Sequence, residues 1–150
     1  MLEILPLRER PGTMQQLARW HYMQWGGTVE RRIERFQGHL EPGRVPQTFV
    51  AVDGTTLLGS ASLVSADLDS HDHLSPWLAS VYVDSTARER GVGSALVQRV
   101  AEEARSLGVP VLYLFTPDRA AFYARLGWIV VEPAHWAGTQ VTVMQLKLIS

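Results

Sequence analysis

The stretch Arg88-Glu89-Arg90-Gly91-Val92-Gly93-Ser94-Ala95 joins an apolar strand pattern, Ala79 to Val83, to an amphipathic helix pattern through a basic, glycine-bearing turn. That arrangement is an anion seat. The first backbone N–H groups of a helix lack intrahelical partners and carry the positive end of the macrodipole, so a phosphate that accepts their hydrogen bonds is held favourably. Gly91 and Gly93 keep side chains out of the space between ligand and amides. Glycine also tolerates the positive φ angles that aim successive N–H groups at one point. Arg88 and Arg90 add charge. Two other phosphate motifs do not fit: a dinucleotide fingerprint needs a third glycine where Leu96 stands, and a Walker loop needs Gly-Lys-Ser/Thr. A plain tight turn ahead of a helix is the competing reading.

A second chemical cluster lies upstream, where Asp67, Asp69, His71, Asp72 and His73 crowd the loop before Trp77. His-x-His beside carboxylates can hold a metal, but no second cluster completes a coordination sphere, so no metal is expected. An acidic loop facing a substrate channel favours a cationic ligand such as a polyamine, an amino sugar or a basic peptide end; a solvated hairpin is the alternative. His71, Asp72 and His73 are candidates to accept a proton, directly or through water, since a histidine titrates near neutrality. Trp77 is a candidate channel wall. On the first helix, Trp20, His21, Tyr22 and Trp25 form an aromatic patch that is either core or the border of a substrate site.

The elements that must position these residues are legible. Leu2 to Leu7 reads as a strand. Thr13 is placed to cap a helix ending at Trp25 before Gly26-Gly27, and Thr28 to cap a second helix, Val29 to Leu40, ended by Pro42-Gly43. On that second helix Ile33, Phe36 and Leu40 recur at helical spacing, while Glu30, Arg31, Arg32, Glu34 and Arg35 supply a charged face. Asp53-Gly54 between Thr48–Val52 and Leu57–Val64 signals an antiparallel hairpin. Ser65 to Pro76 is a polar loop. Leu96, Val97, Val100, Ala101, Ala104 and Leu107 make the apolar stripe of a helix that Gly108 and Pro110 terminate. Val111 to Phe115, Trp128 to Val131 and Gln140 to Leu148 complete the strands.

Composition bounds the rest. At 150 residues, 46% hydrophobic and net charge −1, the chain reads as one globular domain, residues 1–150, without the basic excess of a nucleic-acid binder. It contains no cysteine, which excludes disulfides, thiolate metal sites and a cysteinyl acyl-enzyme. No run of about 18 apolar residues and no basic-then-apolar leader occurs, so no membrane partner and a cytoplasmic location are expected.

Arg-x-x-Gly-x-Gly after a strand resembles the acetyl-coenzyme A binding motif of the GCN5-related N-acetyltransferase (GNAT) superfamily. The resemblance continues in Phe122-Tyr123-Ala124-Arg125-Leu126-Gly127-Trp128, similar to the family's Phe-Tyr-x-x-x-Gly-Phe/Trp pattern, and from Trp77 to Trp128 it covers about a third of the chain. It implies an α/β fold with a mixed, mostly antiparallel central sheet of about seven strands and about four flanking helices. It implies an N-acetyltransferase in which a free amine, preferably that of a small cationic molecule, attacks acetyl-coenzyme A directly in a ternary complex. Dimers are common in the family, so a homodimer is compatible. By the same resemblance, Arg88 to Ala95 hold the pyrophosphate, the strand amides of Val81, Tyr82 and Val83 polarise the thioester, and Tyr123 protonates the leaving thiolate. Two departures stand out: Ala79 and Ser80 occupy the place of a strand carboxylate that many relatives use as the base, and Thr116 replaces an asparagine that bonds the pantetheine arm. Thr116 either makes a similar bond or caps the turn before Pro117. The weaker substrate-side set is Trp25, His71, Asp72, His73, Trp77 and Ser80. Acetylation of a protein N-terminus or lysine, and a non-catalytic acyl-coenzyme A sensor, remain the alternatives.

Overall fold

The computed structural model describes residues 1–149. Its strands are β1 (Leu2–Pro6), β2 (Gln47–Asp53), β3 (Thr56–Val64), β4 (Trp77–Val83), β5 (Val111–Thr116), β6 (Ile129–Trp136) and β7 (Thr139–Lys147). The helices are α1 (Met14–Trp25), α2 (Val29–Gln37), α3 (Val92–Ser106) and α4 (Ala120–Arg125). The strands form one seven-stranded sheet in the order β1-β2-β3-β4-β5-β7-β6. Neighbours are antiparallel except β4 and β5, which α3 joins by a crossover. The mixed, mostly antiparallel sheet with four helices is the architecture the motifs imply.

Strand periodicity assigns the two faces. Phe49 and Ala51 of β2, Leu112 and Leu114 of β5 and Met144 of β7 point to one side, where Leu96, Val97, Val100 and Ala104 of α3 cover them together with Tyr123 and Trp128. Val50 and Val52 point to the other side, against Leu17 and Ala18 of α1 and Phe36 of α2. Further along that second face Trp77, Val141 and Val143 pack under Leu68 and Leu74 of the 65–76 loop. α1–α2 and the loop therefore share a face, opposite α3 and α4.

Several boundaries differ from the sequence expectation. Thr13 does not cap α1: a 3-10 turn over Pro11–Thr13 runs straight into the helix, so Thr13 is already helical and its hydroxyl donates back to the carbonyl of Arg10 at 2.7 Å. Thr28 does cap α2, accepting from the Arg31 N–H at 3.1 Å. α2 stops at Gln37 rather than Leu40, because the Gly38 N–H already turns to the Arg35 carbonyl and the His39 N–H to the Phe36 carbonyl. β6 runs on to Trp136 and turns into β7 through Ala137-Gly138, both with positive φ.

Buried polar pairs pin the helical layer to the sheet. His21 of α1 places Nε2 2.9 Å from Ser60 Oγ on β3. His39, just past α2, places Nδ1 2.8 Å from Thr48 Oγ1, itself 2.8 Å from Ser62 Oγ. Burial, then the charges of Arg32 and Arg35, pulls His21 down to about 3. Burial and Arg35 pull His39 down to about 4. Both rings are neutral in the fold, whereas the unfolded chain protonates them below about 6.5. Their stabilisation is thus complete above about pH 6.5 and is lost as pH falls through about 4 and then about 3. Asp67, raised to about 6, offsets part of this loss. The thermal unfolding midpoint is expected to drop between about pH 7 and about pH 4.5, and His39→Gln to flatten part of that drop, as calorimetry across the pH range would read.

Candidate active site

β4 carries one residue too many for its partner. Ser62 pairs with Ala79 and Ser60 with Tyr82, so Ser80 and Val81 together face Ala61 alone, which is a β-bulge. Ser80 takes a left-handed φ of 54°, a conformation that costs a side-chain-bearing residue about 1 kcal/mol or more. Across the bulge only glycine fits at position 59: an added Cβ would lie 2.4 Å from the Tyr82 carbonyl oxygen and 3.2 Å from Val83 Cα. On its other edge β4 has a single registered pair with β5, Trp77↔Tyr113. Beyond it the two strands part, and Val81, Tyr82 and Val83 border the gap.

β4 leads into the anion seat. After Val83 a 3-10 turn over Ser85–Ala87 is fastened by the Asp84 carboxylate, which accepts from the Thr86 N–H and hydroxyl. Glu89 and Gly91 then take φ of 64° and 78°. Arg88 Nε donates to the Val83 carbonyl at 3.2 Å, closing the turn upon the strand that feeds it. No side chain caps α3, and its first internal bond is Ala95 N–H to Gly91 O, so the N–H groups of Val92, Gly93 and Ser94 are left for a ligand. Uncapped amides, a left-handed turn and the exposed Arg88 and Arg90 fit a pyrophosphate. The two glycines are not equivalent. Gly91 is required by its φ, while a Cβ at Gly93 would meet Phe122 Cζ and Val83 Cγ2 at an ordinary 3.6 Å, so a methyl group would fit there. The Val92 side chain is in the core, leaving only its amide available.

That contact also brings α4 to the seat. Tyr123 is the one buried residue of α4, and Phe122 and Leu126, partly buried, pack against the same core. The Tyr123 ring meets Phe122 and Trp128 edge-on at 5.0 and 6.0 Å. Among the described residues its hydroxyl has no hydrogen-bond partner, and neither does the buried indole N–H of Trp128. Burial pushes the Tyr123 phenol up to about 12, with Arg119 pulling down and Asp118 pushing up. Thr116 serves its own turn: Oγ1 accepts from the Arg119 N–H at 2.9 Å, leaving its hydroxyl proton to donate elsewhere.

A cavity of about 430 Å³ opens on the opposite face, between α2, the start of the loop and the bulge. Ala79 and Ser80 form part of it, with Ser62 and Val64 of β3, His21, Arg32, Arg35, Phe36 and His39 of the helical layer, and Asp67 and Asp69 of the loop. Burial raises the Asp67 carboxyl to about 6 despite the opposing charge of Arg35.

Of the substrate-side residues expected from sequence, only Ser80 lines this cavity. His71 is buried elsewhere: Nδ1 meets Ser70 Oγ at 2.7 Å and Nε2 meets Glu132 Oε2 at 2.5 Å, tying the loop to β6. His73 stacks on His71 at 5.7 Å, and Asp72 is exposed beside them. Trp77 is fully buried with its indole N–H on the Leu74 carbonyl at 2.7 Å, so it is core and not a channel wall. Trp25 packs on His21 and on Tyr82 at 4.9 and 6.2 Å, one layer behind the cavity. Among the described residues no three His, Asp or Glu side chains gather to hold a metal, and no helix is long and apolar enough to cross a membrane. Asp67, Arg32 and Arg35 are visible in the sequence as loop acid and helix charge, but nothing local says that they converge.

A split sheet with an anion seat on one side and a charged cavity on the other is the layout of an acyl-transfer fold. Residues 13–128 match the model of the acetyltransferase (GNAT) family. The chain belongs to that family, and acetyl-coenzyme A is the acyl donor that goes with it. Over 50 residues it is 42% identical to glucosamine 6-phosphate N-acetyltransferase 1 of Oryza sativa subsp. japonica, a match spanning 33% of this chain and 30% of that protein. The aminoglycoside 6'-N-acetyltransferase from Enterococcus faecium has the same fold, with a TM-score of 0.77 at 20% identity over 99% of this chain and 98% of that one. An aminoglycoside 6'-N-acetyltransferase complexed with coenzyme A superposes with a TM-score of 0.74 at 19% identity, over 100% and 98% of the two chains.

Gly59→Ala tests the bulge. The Cβ must displace a backbone carbonyl rather than a flexible side chain, so a loss of about 2 kcal/mol or more is expected in denaturant unfolding, with Gly93→Ala close to neutral.

Proposed function

We propose that this protein is an N-acetyltransferase that transfers the acetyl group of acetyl-coenzyme A to a small primary amine by direct attack, with both substrates held at once. The observation that carries this reading is the position of the β4 bulge. Ser80 lines the cavity, and Val83, at the end of the same strand, leads into the anion seat. An amine in the cavity and a donor along the gap would therefore meet at the bulge.

Acetyl-coenzyme A supplies the activated acetyl thioester; binding and proton handling fall to the chain. The N–H groups at the start of α3, with Arg88 and Arg90, hold the pyrophosphate, and the backbone of Val81 to Val83 orients the donor along the gap. The amine arrives as an ammonium with pKa near 10.4, whose deprotonation at neutral pH costs about 4.6 kcal/mol. Asp67 receives that proton. Its rise from 3.8 to about 6 brings it about two units nearer the ammonium, about 3 kcal/mol, and makes it a better base than a solvated carboxylate. This carboxylate stands in for the strand residue that Ala79 and Ser80 lack. Tyr123 holds its proton on Oη until the C–S bond breaks, gives it to the departing sulfur and regains one from the acylated nitrogen, which sheds its second proton as it becomes the amide. With the phenol at about 12 and a thiol at roughly 8.5, the transfer to sulfur alone is uphill, so it is coupled to C–S cleavage and to that loss from nitrogen.

The cavity's size favours a small acceptor over a peptide, and its loop acids favour an ammonium. The acceptors named for the relatives, glucosamine 6-phosphate and aminoglycosides, are small amines too.

Tyr123→Phe is expected to lower kcat for thiol release about tenfold to a thousandfold while coenzyme affinity stays within about twofold; an unchanged kcat removes Tyr123 from the reaction. The rate should rise with pH through about 6 as Asp67 ionises, and Asp67→Asn should abolish that limb. Because this carboxyl is raised by folding, its stabilisation is present below about 3.8 and lost as pH rises through about 6. Asp67→Asn should therefore raise the unfolding midpoint at neutral pH by several degrees while removing activity, and leave it nearly unchanged in strong acid.

A further inference from the structure

We propose that the acceptor carries an oxyanion as well as its amine, and that Arg35 holds that oxyanion inside the cavity. The inference rests on the cavity being the acceptor site of the proposed transferase. Arg32 and Arg35 stand three residues apart on α2, so they share a side of the helix, and both line the cavity along with Asp67 and Asp69 of the loop. Arg32 is partly committed: its Nε and Nη2 donate to the Gly26 carbonyl at 3.2 and 2.9 Å, closing the end of α1. The exposed guanidinium of Arg35 forms no hydrogen bond and no ion pair among the described residues. A structurally employed arginine in the same molecule looks different. Arg99 of α3 bonds Glu103 at 3.1 Å and lies over the Phe49 ring at 4.4 Å.

The charge of Arg35 is nonetheless felt throughout the cavity. It pulls down His21, His39 and Asp67, and it disfavours the charge on its neighbour Arg32. Two like charges on one helix face line the cavity beside two neutral imidazoles; Asp67 and Asp69 oppose them from the loop, but among the described residues no carboxylate lies within ion-pair distance of the Arg35 guanidinium. A guanidinium fork matches the paired oxygens of a carboxylate or a phosphate, and such charge-assisted bonds are the strong ones in a partly enclosed site. In this reading the loop acids and Arg35 take different groups of one small molecule: ammonium at Asp67, oxyanion at Arg35. A uniformly cationic polyamine satisfies only the first.

The test compares matched pairs on the full chain: glucosamine with glucosamine 6-phosphate, and 4-aminobutyrate with its amide. Calorimetric binding and thiol release are measured for each, so affinity is read independently of turnover. The oxyanion-bearing member of at least one pair is expected to bind about tenfold to a hundredfold tighter than the twin that carries the amine alone. Arg35→Gln should erase that advantage, whereas Arg31→Gln, which removes the same charge from the same helix outside the cavity, should keep it. Which pair responds separates phosphate from carboxylate. Equal affinity within both pairs overturns the proposal, as does an advantage that survives Arg35→Gln. An Arg35-dependent preference with no thiol release from any amine supports the oxyanion site and overturns acetyl transfer to these acceptors.

Discussion

β4 cannot pair along its length with both of its neighbours, and the site exists because of that conflict. The added residue at Ser80–Val81 keeps β4 in register with β3 on either side of the bulge but increases its local twist. The same strand then keeps one registered pair with β5 before the two separate. Trp77, buried and fastened to the Leu74 carbonyl, holds the point at which they part. Gly59 lets β3 approach the bulge closely enough to hold it, and the left-handed Ser80 carries the backbone strain. The parallel relation of β4 and β5 obliges the chain to cross over through α3, and that crossover puts a helix N-terminus at the open end of the gap.

The cavity on the other face reflects a different balance. His21 and His39 are buried as neutral rings, each with a hydroxyl partner on the sheet, so they fill space without adding charge. Arg32 and Arg35 then act against a polar but uncharged floor, with the half-buried carboxyl of Asp67 lining the same cavity. Burial raises its pKa while Arg35 lowers it, and burial wins. The result is a carboxyl poised near neutrality, set by two elements that meet only in the folded protein.

Local signals exposed nearly all of the proposed donor seat's backbone geometry in the sequence. Gly91, the arginines around it, the β4 pattern and the Phe122–Trp128 run lie close together in the chain, and each constrains backbone geometry that neighbouring residues decide. The acceptor side was mostly hidden. His71 looked like a solvated loop base because its partner, Glu132, comes from a strand far along the chain. Trp77 looked like a wall because nothing nearby announces that Val141 and Val143 will cover it. The α2 arginines fall into an ordinary helical charge pattern, and only the docking of α2 beside the loop puts Arg32, partly buried, and Arg35, exposed, at the rim of the cavity. Thr13 missed its cap for a local reason, since Pro11-Gly12 starts a turn that merges with the helix.

The sheet separates two sets of residues that have no member in common. The donor seat is built from the end of β4, the turn and α3, all needed for the crossover that holds the sheet together. The cavity's charged lining comes from one side of α2 and the first residues of a loop, neither of which pairs in the sheet, and the loop's far end is anchored independently through His71 and Glu132. Of these residues Asp67 is tied to proton transfer in the proposed reaction and Arg32 to the end of α1, which leaves Arg35 and Asp69 as the charges that could be exchanged without touching the donor seat. If the proposed roles hold, the charges that would choose the acceptor sit on elements outside the sheet, and the seat that would hold the coenzyme sits on elements the sheet requires.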